Sequence, residues 1–358
     1  LADEVVRIGE LEAQFGFVKN SAADLASVPK GLAGITKAHS AVNATPWAFI
    51  SLALAMMMGT ASLPHVMMRY FTTPSVKAAR KSVGWSLFFI FLLYSSAPML
   101  ATLSKLSLID PTLPTGIIGK TFAEVQSIDW YQNWNQANLM FISDFNGNGT
   151  LELNEFFMGG KAVVLATPEI AGLPYVISGL VAAGGMAAAM STADGLILAI
   201  ANAISHDVYY KMIDPKAETA KRLLVARILL VVIGFAGATI AAMQIQGILG
   251  SVIWAFDFAM SGLFFPLVLG VWWKRANREG AIAGMALGLG SAIWYLIWVR
   301  TGGSGFLGIT QLTFGIFGAA VSLVAMVVVS LMTQEPDKAT QKMVDEVRVP
   351  SGRTVTGK

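Results

Sequence analysis

Near the middle of an apolar run from Leu173 to Ile204 sits one polar knot, Ser191-Thr192-Ala193-Asp194. About 20 apolar residues cross a bilayer core, so the run is long enough to span one. An Asp at that depth costs roughly 2.5 to 3.5 kcal/mol on insertion scales, and such groups face a cavity or a partner. Ala188, Ser191 and Thr192 fall within about one helical turn. The Ala188 carbonyl and the two hydroxyls therefore have the spacing to converge on one point, and oxygen ligands of this kind hold hard cations such as sodium. Ser and Thr also bond back to the carbonyl four residues earlier and do nothing else. Asp194 argues against that reading for the group as a whole. Asp194 and Asp257, the latter in a second apolar run (Trp254-Ala-Phe-Asp257-Phe), are candidates for a second ion or for coupling. For Asp257 a buried structural acid is the equal alternative.

A second constellation is Gly59-Thr60-Ala61-Ser62-Leu63-Pro64-His65, inside another apolar run. Pro64 removes a helical hydrogen bond and Gly59 loosens the backbone before it. Non-helical backbone survives in a membrane only when buried in protein or lining a cavity. Gly59, Thr60, Ala61 and Ser62 are therefore candidate substrate contacts through freed backbone groups. The plain alternative is a proline kink. His65 reads as a packed histidine at the break, and His206 and Asp207 as caps on the end of the Leu173–Ile204 run.

A third is the twelve-residue stretch Asp144-Phe-Asn146-Gly-Asn148-Gly149-Thr150-Leu151-Glu152-Leu-Asn-Glu155. It matches the EF-hand calcium loop at each anchor: side-chain oxygens at Asp144, Asn146 and Asn148, a turn glycine, the Thr150 carbonyl, Glu152 through water, and a bidentate Glu155. Only three carboxylates face the ion, which implies weak affinity and a structural Ca2+ clip. Glu155–Leu165 reads as the exiting helix, and Tyr131–Ser143 as a weaker entering one. A Gly/Asn-rich turn without metal is the alternative.

The elements that must position these groups are membrane helices. Hydrophobic residues make up 55% of the chain and charged ones 13%, about half the globular norm. Seven spans are expected, at Trp47–Met68, Ser82–Leu103, Leu173–Ile204, Leu223–Met243, Leu249–Trp273, Ala281–Val299 and Ile309–Met332. Basic clusters follow the first span (Arg69, Lys77, Arg80, Lys81), the third (Lys211, Lys216, Lys221, Arg222) and the fifth (Lys274, Arg275, Arg278). Positive loops stay cytoplasmic, which puts residues 1–45 and the insertion 104–172 outside and the tail 333–358 inside. The nine Trp sit mostly near span ends, as interface anchors do. Residues 104–172 are too polar to cross and too many for a plain loop, so structure is expected there. The tail from Gln334 reads as disordered. No cysteine is present, and a net charge of +3 is too small to suggest nucleic acid. No nucleophile–base pair or closed metal site appears in the spans, so the chain is not read as an enzyme.

Four stretches carry a resemblance. Gly59-Thr-Ala-Ser-Leu-Pro-His-Val-Met-Met-Arg-Tyr-Phe-Thr72, Lys77-Ala-Ala-Arg-Lys-Ser82, Ala188-Ala-Met-Ser-Thr-Ala-Asp-Gly195 and Phe264-Phe-Pro-Leu-Val-Leu-Gly-Val-Trp-Trp-Lys-Arg-Ala-Asn-Arg-Glu-Gly280 resemble the sodium:solute symporter family, closest to its acetate (monocarboxylate) permease branch. The likeness covers most of residues 47–332. It implies an all-α membrane protein of the LeuT-like inverted-repeat fold, in the inner (plasma) membrane of a bacterium. The first span then looks like broken core helix six and the third like core helix eight. Ala188, Ser191 and Thr192 would supply the helix-eight ligands of Na+. The helix-one ligands lie in a first repeat that this chain lacks, so it looks like the C-terminal part of a symporter, with the missing N-terminal half as a partner. A start at Leu1 rather than Met fits that expectation. Met56-Met57-Met58-Gly59-Thr60 suits a small solute such as a short monocarboxylate. The rival classes are a membrane sensor with a calcium-stabilised outer loop, and a proton-coupled or leak pathway.

Overall fold

The computed structural model describes residues 2–15, 25–29, 32–34, 46–160, 162–243, 245 and 247–348. The chain divides into two compact units, one drawn from residues 1–38 and 83–191 and the other from 39–82 and 192–358. Expectations that fall on 16–24, 35–45 and 349–358 lie outside the described residues.

In the first unit, α1 (Ala2–Phe15) and the end of α4 (Val76–Ile109) join α5 (Phe122–Gln126), α6 (Asp129–Gln136) and α7 (Val163–Ile170). Three short strands, β1 (Ala33–Gly34), β2 (Met140–Ile142) and β3 (Phe156–Met158), form an antiparallel sheet in the order β1-β3-β2. Their core is apolar and continuous, with Ile109, Ile117, Val125, Met140, Leu151 and Phe156 buried and Ile8 and Leu11 of α1 packed into it. The insertion at 104–172 thus holds structure of its own, and the N-terminal segment shares its core. Thr121 caps α5 in a reciprocal box with Glu124.

Charge ties α1 to this core. Lys105 bonds Glu12, and Arg7 pairs with Asp110, whose carboxylate also accepts from Thr112 N (3.0 Å) and Thr112 Oγ1 (2.7 Å). Burial alone would raise the Asp110 carboxyl, but the Thr112 donors and Arg7 together hold it below the ordinary carboxylate range. A carboxylate lowered by folding contributes stability above its unfolded pKa and loses it as pH falls through the folded one. Asp110→Asn is expected to cost of order 1–3 kcal/mol at neutral pH and to flatten the acid limb of thermal unfolding monitored on this unit. An unchanged acid limb would remove Asp110 from that role.

The second unit begins with α2 (Pro46–Ser62), a break at Leu63, and α3 (Pro64–Met68). The chain leaves it through α4 and returns on α8 (Tyr175–Asn202), which runs on as a wide π-type segment, Ala203–Ile213. Then follow α9 (Thr219–Ala242), α10 (Ile248–Ala259), a π turn at Met260–Phe264, α11 (Phe265–Trp272), α12 (Arg278–Arg300), α13 (Gly315–Met332) and α14 (Lys338–Arg348). Among the described residues, six helical stretches are long and apolar enough to cross a membrane. The first expected span, Trp47–Met68, is divided at Leu63–Pro64, which leaves a shorter apolar helix over Phe49–Ser62.

Small residues set the tightest packing. Gly280, Gly284, Gly288 and Ala292 recur every four residues along the buried face of α12, against Gly318, Ser322, Met326 and Ser330 of α13. Asn277 caps α12 through Gly280 N (2.9 Å), and its amide reaches Thr333 Oγ1 (2.7 Å) and the Gln334 carbonyl (2.9 Å). The tail does not match the disordered reading over 338–348. There α14 buries Val344, pairs Asp345 with Lys274 (2.8 Å) and lays Arg348 over the Trp272 ring. A polar amphipathic segment with docking partners of this kind folds where composition alone predicts none.

Candidate functional site

Regular helical bonding fails where Pro64 has no N–H to give. Leu63 N closes back on the Thr60 carbonyl (3.4 Å), and the Leu63 carbonyl restarts the ladder by accepting from Val66 N (3.1 Å) and Met67 N (3.3 Å). The two hydroxyls beside the break bond within α2: Thr60 Oγ1 donates to Met56 O (2.6 Å) and Ser62 Oγ to Met58 O (2.5 Å). Gly59 and Ser62 are buried, whereas Thr60 and Ala61 are exposed. Gly59 is there for space. A Cβ on it would lie 2.7 Å from the Phe256 carbonyl oxygen and 2.9 Å from Phe256 Cα, so α2 and α10 touch backbone to backbone.

Beyond the break, Pro64 and Met68 line a cavity of about 540 Å³. Asn202, Ser205, His206 and Asp207 contribute from α8 and its π continuation, and Thr219 and Arg222 from α9. His206 and Asp207 do not cap a helix, as the sequence suggested, because the helix widens and continues to Ile213. His206 Nδ1 lies 3.0 Å from Asp207 Oδ1, which also accepts from Lys211 Nζ (3.0 Å). Arg222 stacks on the Tyr210 ring, 3.9 Å from its centroid. No pattern in the sequence joins 202–207 to 219–222, so these cavity residues were not read as site residues.

The polar knot lies on α8, with Ala188, Ser191, Thr192 and Asp194 exposed. Ala188, Ser191 and Thr192 each take part in interactions of the structure. A hydroxyl that donates its proton still offers oxygen lone pairs to a cation. One residue on, Gly195 admits His65 and Arg69: a Cβ there would meet Arg69 Nη2 at 3.4 Å and the His65 ring at 3.9 Å. So the turn after the knot packs on α3, immediately past the break. The substrate candidates at 59–62 stand on the other side of that break.

Asp257 takes a different place. It is fully buried on α10, against the first residue of α13.

The EF-hand-like loop departs from the expected flanks. β2 precedes it and β3 follows it, so the loop joins two antiparallel strands rather than two helices. Met140-Phe-Ile and Phe156-Phe-Met are short apolar runs that pair across the loop, and pairing fixes them as strands. Side-chain oxygens serve the loop's own amides. Asp144 accepts from Gly147 N (2.7 Å) and Gly149 N (2.9 Å), Asn146 from Asn148 N (3.0 Å), and Asn148 from Thr150 N (2.8 Å). Buried Glu155 accepts from Phe145 N (2.9 Å) and Glu152 N (3.0 Å). Gly147 and Gly149 take the left-handed backbone, φ 73° at each, that this closure requires. Among the described residues no group of three or more His, Cys, Asp or Glu side chains is placed to hold a metal ion.

Membrane-length apolar helices, together with a shorter apolar helix that is broken beside a cavity, define an integral membrane protein of the all-helical kind. Residues 161–288 match the model of the sodium:solute symporter family. An uncharacterized symporter of Cupriavidus necator is 42% identical over 310 residues, 84% of this chain and 44% of that protein. A monocarboxylic acid transporter of Corynebacterium glutamicum is 28% identical over 257 residues, 71% of this chain and 39% of its own length. The likeness of this chain is to the sodium:solute symporter family. The chain spans less than half the length of these curated relatives.

Proposed function

We propose that the protein is a sodium-coupled symporter of a small organic solute, a short-chain monocarboxylate, working by alternating access on an inverted-repeat frame. The observation that carries the reading is the break at Leu63–Pro64 inside an apolar helix, with a cavity on its far side and α8 packed on the segment that follows. Sodium as cotransported cargo is held by the Ala188 carbonyl and the Ser191 and Thr192 hydroxyls, with Asp194 adding negative charge within one turn. The solute binds at Gly59–Ser62. With Thr60 and Ser62 hydroxyls bonded inside α2, it is met by backbone groups at the break rather than by those side chains. The stretch Met56-Met57-Met58 suits a small solute with little hydroxyl chemistry. The name of the Corynebacterium glutamicum relative supports this substrate class. Basic loops put 69–81, 211–222 and 274–278 on the cytoplasmic side.

The test is uptake of labelled acetate and pyruvate into vesicles carrying the complete gene product. An inward sodium gradient is expected to drive accumulation, and its collapse to abolish it. Accumulation that follows an imposed pH gradient and ignores sodium would overturn sodium coupling. Absence of uptake of any short carboxylate, with sodium-driven uptake of another solute, would overturn the substrate class.

A further inference from the structure

Asp257 is the one ionisable side chain between Ile248 and Trp272, and Pro46–Ser62 and Gly315–Met332 contain none. It is fully buried; the Gly315 backbone amide faces its carboxylate, but neither carboxylate oxygen has a well-formed hydrogen-bond partner. The first turn of α13 closes directly over it. A Cβ on Gly315 would lie 2.6 Å from Asp257 Oδ1, 2.7 Å from Asp257 Cα and 2.6 Å from the Met260 methyl. The Ser261 hydroxyl donates to the Asp257 main-chain carbonyl (2.7 Å) and reaches the Gly315 carbonyl (3.2 Å). Phe258 and Phe314 meet edge to face with centroids 4.9 Å apart.

No counter-charge comes from the packed elements. On α12 the ionisable groups are Arg278 and Glu279 in the first turn, Arg300 in the last, and Tyr295. Arg300 lies over the Trp254 ring, 5.1 Å from its centroid, and Tyr295 donates to Ile309 O (3.1 Å) while accepting from Phe306 N (2.8 Å). Lys and Arg are absent from α2, α10, α11 and α13. A bare carboxylate here would keep most of its desolvation cost, because a helix N-terminus offsets only a fraction of it. A metal ion needs several oxygen ligands, and the groups beside the Asp257 carboxylate are the Gly315 backbone and the Met260 methyl. What satisfies both conditions is a proton.

We propose that Asp257 is a proton-binding site, a neutral carboxylic acid on α10 covered by the first turn of α13. It is the neighbour of Phe256, whose backbone meets Gly59 of the proposed solute position, and its test needs no transport. The experiment is infrared spectroscopy of the purified full chain in lipid at neutral pH, with aspartate carboxyls labelled by carbon-13. The expected spectrum shows a neutral-acid C=O stretch that shifts on labelling, disappears in Asp257→Asn and is unmoved by added sodium. If Asp257→Asn fails to fold, Asp194→Asn decides: the labelled band survives removal of that other intramembrane aspartate. The proposal is overturned by a wild-type spectrum without a neutral-acid aspartate band, by a band lost with Asp194 or kept without Asp257, or by a band that sodium removes.

Discussion

Replacing both Ser191 and Thr192 with alanine will abolish sodium-stimulated uptake and leave the protein folded. Each hydroxyl offered to a cation is worth about 1.5 to 3 kcal/mol by analogy with hydrogen bonds to charged groups. Removing two weakens sodium binding by roughly 10² to 10⁴-fold, at 1.4 kcal/mol per tenfold. Folding is spared because both side chains are exposed on α8, so alanine opens no void. Thr192→Ser keeps the oxygen and retains coupling. The measurement is the sodium concentration at half-maximal uptake, taken beside the melting temperature of each variant. A double variant with wild-type sodium dependence would remove the α8 assignment, and one with wild-type melting but no uptake at any sodium level would point to the solute path instead.

The spans were legible because twenty-odd apolar residues without charge have no other stable home, and the break was legible because Pro64 lacks a donor wherever it sits. Packing was less so. Gly59 read as a loosened backbone, but the structure uses it to seat α2 against the Phe256 backbone, a demand visible only once α10 is beside it. The π segments at Ala203–Ile213 and Met260–Phe264 leave no trace in composition, since widening the register by one residue changes no period that a short window resolves. For that reason His206 and Asp207 read as caps and the cavity they line went unseen. The calcium-like loop shows the opposite error. Its twelve residues fit a pattern closely, while the three apolar residues on each side were too few to display the alternation of a strand. Asp257 was readable as a costly group, but whether it meets a cation, a water path or nothing depends on where α13 begins.

Gly288→Val should break the pairing of α12 with α13. A Cβ at this position would lie 2.2 Å from the Ser261 carbonyl oxygen and 2.6 Å from Ser322 Cβ. The first of these is backbone, held in the π turn that carries Ser261, so no side-chain rotation relieves it. The helices must move apart, and the run of small contacts at Gly284, Gly288 and Ala292 separates with them. Overpacked cores lose about 1 to 3 kcal/mol and sometimes more; a clash against main chain at the centre of a helix pair belongs at the upper end. The comparison is Gly290→Val, two residues along on the exposed face, where an added Cβ meets nothing within 4 Å. Thermal unfolding in detergent is expected to show Gly290→Val near wild type and Gly288→Val lowered by several degrees or not recovered as a monodisperse species. Equal behaviour of the two would mean that α12 does not present this face to α13. The seam over Asp257 would then be open, since Gly315 and Gly318 close on α10 and its π turn only while α12 holds α13 against them.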